Sequence, residues 1–142
     1  AEVGQLKEST VFKNTQRHSV ETTQQILSLR IDQSLVFANT SYLEEHIDGY
    51  LNPSHNNSHN VSHLILMCSA VNEIDYSALE MLHRLNTKLK NKGIVFHLSE
   101  VKGPVMDSIQ RSGFEAELTG KIYLTQYEAY SELKNTIKKK AS

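Results

Sequence analysis

A hydroxyl held in the first turn of a helix is a ready receptor for anionic chemistry. The segment Ser69-Ala70-Val71-Asn72-Glu73-Ile74-Asp75-Tyr76-Ser77-Ala78-Leu79 offers one. Asp75 is placed to cap a helix in which Ala78, Leu82, Leu85 and Leu89 recur at helical spacing. Ser77 then lies among backbone N–H groups without intrahelical partners, where the dipole favours an anion by about 0.3–1 kcal/mol. Asp75 is a like charge for any phosphate on Ser77, so phosphorylation would perturb the cap and remodel the surface. The plainer reading is that both residues merely end a loop and start a helix. Glu73, Asp75 and Glu100 are candidate acid–base carboxylates. No apolar pocket or positioned substrate group accompanies them, so they read as helix caps and loop polars.

Other chemistry-bearing residues fall away on spacing or context. His55, His59 and His63 recur every four residues, which on a helix would align three metal ligands. Pro53 and the surrounding Asn and Ser make 52–62 a polar loop instead, and no metal site is expected. His83 and His97 have no nearby Ser or Cys nucleophile in a suitable turn and read as core or surface histidines. Cys68 follows Leu64-Ile65-Leu66-Met67 and reads as a buried thiol rather than a nucleophile. Neither Gly-x-x-x-x-Gly-Lys nor Gly-x-Gly-x-x-Gly occurs, so no cofactor is expected. Weak nucleotide binding would have to use the start of the Ser77 helix and Lys102, which reads equally well as a solvated charge.

The elements that would position these residues alternate along the chain. Ser9 to Lys13 is a short strand candidate, and 14–25 is loop. Ile26 to Ile31 is a strand candidate that turns through Asp32-Gln33 into Ser34 to Ala38, an opening hairpin. Asn39 caps a helix running to about Leu51. Leu64 to Cys68 is a continuous apolar run, as expected of a strand buried on both faces. The Asp75 helix ends at Gly93, and Ile94 to Leu98 is the next strand. Gly103-Pro104 opens a short helix that Ser112-Gly113 closes. Ile122 to Leu124 is a last strand, and Thr125-x-x-Glu128 is a capping box for a final helix. Strand–helix alternation predicts an α/β fold: a mixed, mainly parallel sheet of about five strands with about four helices on it. The loops after the strands' carboxyl ends then gather on one edge, bringing Asn39, Asn72, Asp75, Tyr76, Ser77, Ser99 and Lys102 together as a ligand or partner rim.

Bulk properties narrow the function classes. The 142 residues suit one domain, and 39% hydrophobic content with only six Gly and two Pro excludes a low-complexity chain. Fifteen basic against sixteen acidic side chains give a net charge of −1, so no nucleic-acid footprint exists. Lys138-Lys139-Lys140 is the one local excess and reads as a solvated helix end. A lone cysteine fits a reducing compartment. No signal peptide and no run of about 20 apolar residues is present.

At Ile74-Asp75-Tyr76-Ser77-Ala78-Leu79 the chain resembles the signature of STAS domains, shared with bacterial anti-sigma factor antagonists. There an Asp-Ser/Thr-Ser-Gly-Leu element starts the second helix. Gly4-Gln5-Leu6 through Asn14 is similar to the segment that follows the last membrane helix of SulP transporters. Leu29-Arg30-Ile31-Asp32 with Leu35-Val36-Phe37-Ala38-Asn39 is similar to a stretch of the same transporters, and Asn39 to Leu43 to the start of their first helix. Glu100 to Val105 and Ser112-Gly113-Phe114 resemble their third strand–helix unit. The likeness covers about residues 4–135 and favours the transporter branch.

The resemblance implies a lead-in segment over 1–25 and a STAS domain over 26–142. The domain would be a non-enzymatic regulatory module on the cytoplasmic face of an anion transporter, with sulfate the anion implied. Its partners would be that transporter's membrane domain and a cytoplasmic protein or nucleotide, without nucleic acid or metal. Asn39, Asn56 and Asn60 start glycosylation tripeptides that such a domain would never expose to the enzyme. In the antagonist branch the second Ser of the signature is the phosphoacceptor, matched here by Ser77. Tyr76 and Ala78 depart from the pattern. The alternative implied is a free-standing partner-switching protein controlled at Ser77.

Overall fold

Among the described residues, three strand–helix units are followed by a strand and a terminal helix. The computed structural model describes residues 25–32, 37–52 and 61–141. In order the elements are β1 (Ile26–Arg30), α1 (Phe37–Tyr50), β2 (His63–Met67), α2 (Tyr76–Asn91) and β3 (Val95–Ser99), then α3 (Gly103–Ser112), α4 (Phe114–Glu117), β4 (Ile122–Tyr123) and α5 (Gln126–Ala141). The strands form one sheet in the order β1-β2-β3-β4, every pair parallel. The expected α/β architecture stands. Among the described residues the sheet has four strands and no antiparallel member, and the helices number five, with α4 a single turn.

The opening hairpin needs correction. Phe37 and Ala38 are the first residues of α1 rather than the end of a strand, so Asn39 is the third helical residue and not the cap. A short apolar run does not by itself distinguish strand from helix, and Ala38 favours the helix. The strand proposed at 9–13 and residues 33–36 lie outside the described residues.

Strand order decides which face each helix covers. When successive parallel strands are laid down in one direction with crossovers of one hand, every crossover helix lands on the same face. The register places Leu27, Leu64 and Phe96 on one face, followed by Leu29, Leu66 and Leu98. That face packs in the main core with Ile47 of α1, Leu82, Leu85 and Leu89 of α2, Ile109 of α3 and Phe114 of α4. α5 follows the last strand and covers the other face, where Ile26, Ile65 and Tyr123 meet Ala129, Leu133 and Ile137. The same register puts Ser28, His63, His97 and Ser99 on this second face, which is therefore the more polar one.

Local chemistry fixes the ends. Gly93 (φ 77°) and Gly113 (φ 80°) adopt the left-handed conformation that ends α2 and α3. Thr125 Oγ1 accepts the Glu128 N–H at 3.0 Å, which forms the cap expected of the Thr125-x-x-Glu128 pattern. Buried Asn86 of α2 donates to the Glu117 carbonyl at 2.8 Å and accepts the Thr119 N–H at 3.2 Å, locking α2 to the chain after α4. Glu44 and Asp48 of α1 pair with Arg84 and Lys88 of α2. Burial works against the Glu44 carboxylate, but the two cations prevail and hold its pKa below the ordinary value.

Candidate functional site

The carboxyl ends of β1 to β4 converge on the rim to which the sequence assigned the site, and Asp75 organises its centre. Its backbone is extended (φ −100°, ψ 176°) and its carboxylate accepts the Ala78 N–H at 2.9 Å, the cap expected for α2. Tyr76 and Ser77 are the first two helical residues; Tyr76 is 73% exposed and Ser77 half-buried. The Tyr76 hydroxyl donates to the Glu80 carboxylate one turn on, which raises the phenol's pKa.

Asn72 and Lys102 do meet. Lys102 Nζ donates to Asn72 Oδ1 at 2.6 Å, tying the loop after β2 to the start of α3. Both are exposed. Asn39 lies in the first turn of α1, and its side chain is outside the described residues.

Ser99 is the member that needs correction. It is the last residue of β3 and fully buried, because its position in the register faces it toward α5 instead of the rim. Its hydroxyl donates to Gln126 Oε1 at 2.6 Å, and Gln126 Nε2 donates to Ser28 Oγ at 3.0 Å. Buried hydroxyls need such partners. Beside it Glu100 takes up φ 59°, an uncommon conformation for a side chain with a Cβ. This turns its carboxylate to accept the Gln126 N–H at 2.8 Å, at the start of α5. Asp75 and Glu100, two of the three candidate acid–base carboxylates, are thus each engaged at a helix N-terminus.

Sequence reasoning missed the apolar part of the rim. Leu124 is 80% exposed just after β4, and Tyr127 is 76% exposed in the first turn of α5. Both side chains are accessible to a partner. A groove of about 720 Å³ also opens between α2 and α3 beside Tyr76, with Arg84, Ser108 and Arg111 on its walls. The sequence contained no signal for it, since its walls come from two helices of unknown crossing.

The remaining candidates settle as side chains of structure. Cys68 is wholly buried and burial pushes its thiol up to about 12, far from a nucleophile's range. His83 Nδ1 lies 2.8 Å from Glu117 Oε1, with its ring edge-on to Phe114. His97 is buried on the α5 face. His63 is the first residue of β2, while His55 and His59 lie outside the described residues. Among the described residues no three metal-ligating side chains converge, and no helix is long and apolar enough to cross a membrane.

Comparison with known proteins gives this architecture its relatives. "Sulfate transporter 3.1" of Arabidopsis thaliana is 31% identical over 134 residues, which is 89% of this chain and 20% of the relative. The chain therefore spans about a fifth of the length of the curated relatives it matches. Murine Solute Carrier 26 family member A9, an anion transporter solved in the inward-facing state, superposes with a TM-score of 0.67 at 17% identity. The match covers 78% of this chain and 18% of that one. A protein assigned as an anti-sigma factor antagonist from Thermotoga maritima superposes with a TM-score of 0.65 at 21% identity, over 80% of this chain and 89% of that one. The family model of the STAS domain matches residues 17–129, and the chain belongs to that family.

Proposed function

We propose that this chain is the regulatory STAS domain of a SulP-type membrane anion transporter, with sulfate as the transported anion, and that it works by contact rather than by turnover. Asn72, Asp75, Tyr76, Ser77 and Lys102 form the polar half of its contact surface, and Leu124 and Tyr127 the apolar half. The observation that carries this reading is the matching of nearly the whole chain to about a fifth of a sulfate transporter. The site agrees with it. Asp75 and Glu100 are spent on helix caps, so the rim offers donors, a cation and apolar side chains for recognition. The partner is the membrane domain of the same transporter or a cytoplasmic protein, and the domain lies on the cytoplasmic face. No cofactor is needed, and a nucleotide would meet only Lys102 and the start of α2.

The test is made in the full reading frame. Ten or so apolar helices encoded upstream of Ala1, with sulfate uptake altered by Lys102→Glu or Tyr76→Asp at unchanged membrane abundance, would support the proposal. A start codon near Ala1 would replace it with the free-standing antagonist, a reading favoured by the Thermotoga protein, nearly all of which this fold covers. In that case mass spectrometry on protein from native cells should find phosphate on Ser77.

A further inference from the structure

On the face of the sheet that α5 covers, a chain of hydrogen bonds fixes where a histidine proton sits. The backbone N–H of Lys121 can only donate, and it donates to His97 Nδ1 at 3.1 Å. That nitrogen is therefore bare, and the neutral ring carries its proton on Nε2. His97 Nε2 lies 3.1 Å from His63 Nδ1 and donates to it, which leaves the proton of His63 on Nε2, away from His97. His97 stays neutral because burial, then the neighbouring His63, push its pKa down to about 4.

His63 lines a groove of about 380 Å³ at the end of the sheet opposite the rim, with Gln25, Ser62, Thr136 and Lys140 around it. The volume is at the small end of ligand sites. No carboxylate is among the described residues that line it, and its hydroxyls donate within the protein, Thr136 to the Glu132 carbonyl and Ser62 to Gln25. The donors left for a ligand are the His63 ring N–H and the Lys140 ammonium. Lys140 is exposed and close enough to His63 to lower its pKa, after the larger effect of burial. A cation and a fixed ring N–H, with no acid among the described lining residues, suit an anion.

We propose that this groove binds a small tetrahedral oxyanion, with His63 Nε2–H and the Lys140 ammonium as its principal contacts. Lys140 then has a role beyond that of a solvated helix end. The site stands apart from the rim and does not depend on the transporter reading. The charged groups around the histidine pair set its pH response. They are His97 on β3, Lys121 and Tyr123 beside it, and Glu132 and Lys140 on α5. Protonating His63 at Nδ1 would break the hydrogen bond it accepts from His97, so the anion is held by the neutral ring's Nε2–H and the Lys140 ammonium.

The experiment is amide and histidine-ring NMR of the 142-residue chain titrated with sodium sulfate. Saturable shifts are expected at Ser62, His63, Val95, Thr136 and Lys140, and they should be absent with sodium chloride of equal ionic strength. Inorganic phosphate should compete. Lys140→Gln, an exposed change that leaves the fold intact, should weaken binding about tenfold, the worth of one charge-assisted contact. Shifts that sodium chloride reproduces, that never saturate, or that Lys140→Gln leaves unchanged would overturn the site. A second arm uses phosphatidylcholine vesicles with and without phosphatidic acid. Recruitment to the acidic vesicles without saturable binding of sulfate would assign the basic end to lipid and equally defeat the proposal.

Discussion

Asp75 and Ser77 are neighbours with unequal duties. Asp75 closes a hydrogen bond that α2 cannot supply for itself, whereas no bond of that kind is required of Ser77. Asp75→Ala should therefore lower unfolding stability by about 1 kcal/mol. Ser77→Ala should leave unfolding stability within the ordinary ±0.5 kcal/mol of a neutral substitution. Equal losses for the two would show that Ser77 shares the cap. Gly120 is a different kind of constraint. A Cβ built there would meet the His97 ring and the Phe96 carbonyl, so Gly120→Ala must push the ring or the backbone aside. A loss of about 1–3 kcal/mol is expected, accompanied by large NMR shifts of the His97 ring. None of this was visible in the sequence, where Gly120 is an ordinary loop glycine. Asp75 was visible because a cap announces itself by residue type and by the apolar period that follows it.

At the scale of elements, the sequence was most legible where one element carried its own signal. The Leu64–Cys68 run, the Ala78/Leu82/Leu85/Leu89 stripe and the Thr125–Glu128 pair each described local structure, and β2, α2 and the start of α5 follow them. It was least legible where two elements had to be aligned. Ser99 ends a strand, and whether it faces solvent or α5 depends on register and on Gln126, 27 positions away. Two consequences can be measured by denaturation. Leu82 is 1% exposed at the centre of the main core, so Leu82→Ala should cost about 2–5 kcal/mol. Gln126→Ala would strip partners from the Ser28 and Ser99 hydroxyls and should cost about 1–3 kcal/mol, although it removes a polar side chain. Hydrogen exchange should then show α5 loosened before α2. Stability at wild-type level in this variant would mean that water replaces the amide and that the Gln126 side chain does not help to hold α5.

Across the whole molecule the sheet separates two kinds of interior. One face is nearly all hydrocarbon, covered by the four crossover helices. The other holds the His63–His97 pair and the serines beneath α5. This division follows from strand order, which the sequence suggested only as alternation. It also fixes how the protein should respond to acid. The folded pKa of His97 is depressed from 6.5 to about 4, burial being the main cause. A base of this kind contributes stability that is complete above its unfolded pKa of 6.5 and is lost as pH falls toward 4, because the unfolded chain takes up the proton first. His63 is depressed in the same direction by burial and by Lys140, so it adds to the loss. Carboxylates such as Glu44 also weaken the fold in acid, so the histidine share must be isolated by a variant. His97→Asn keeps an acceptor for the Lys121 N–H but does not titrate. Between pH 7 and pH 4.5 the wild type should lose about 2 kcal/mol more than His97→Asn, at 1.36 kcal/mol per pKa unit. Parallel stability curves for the two proteins would mean that His97 is solvated in the native state and that α5 does not seal this face.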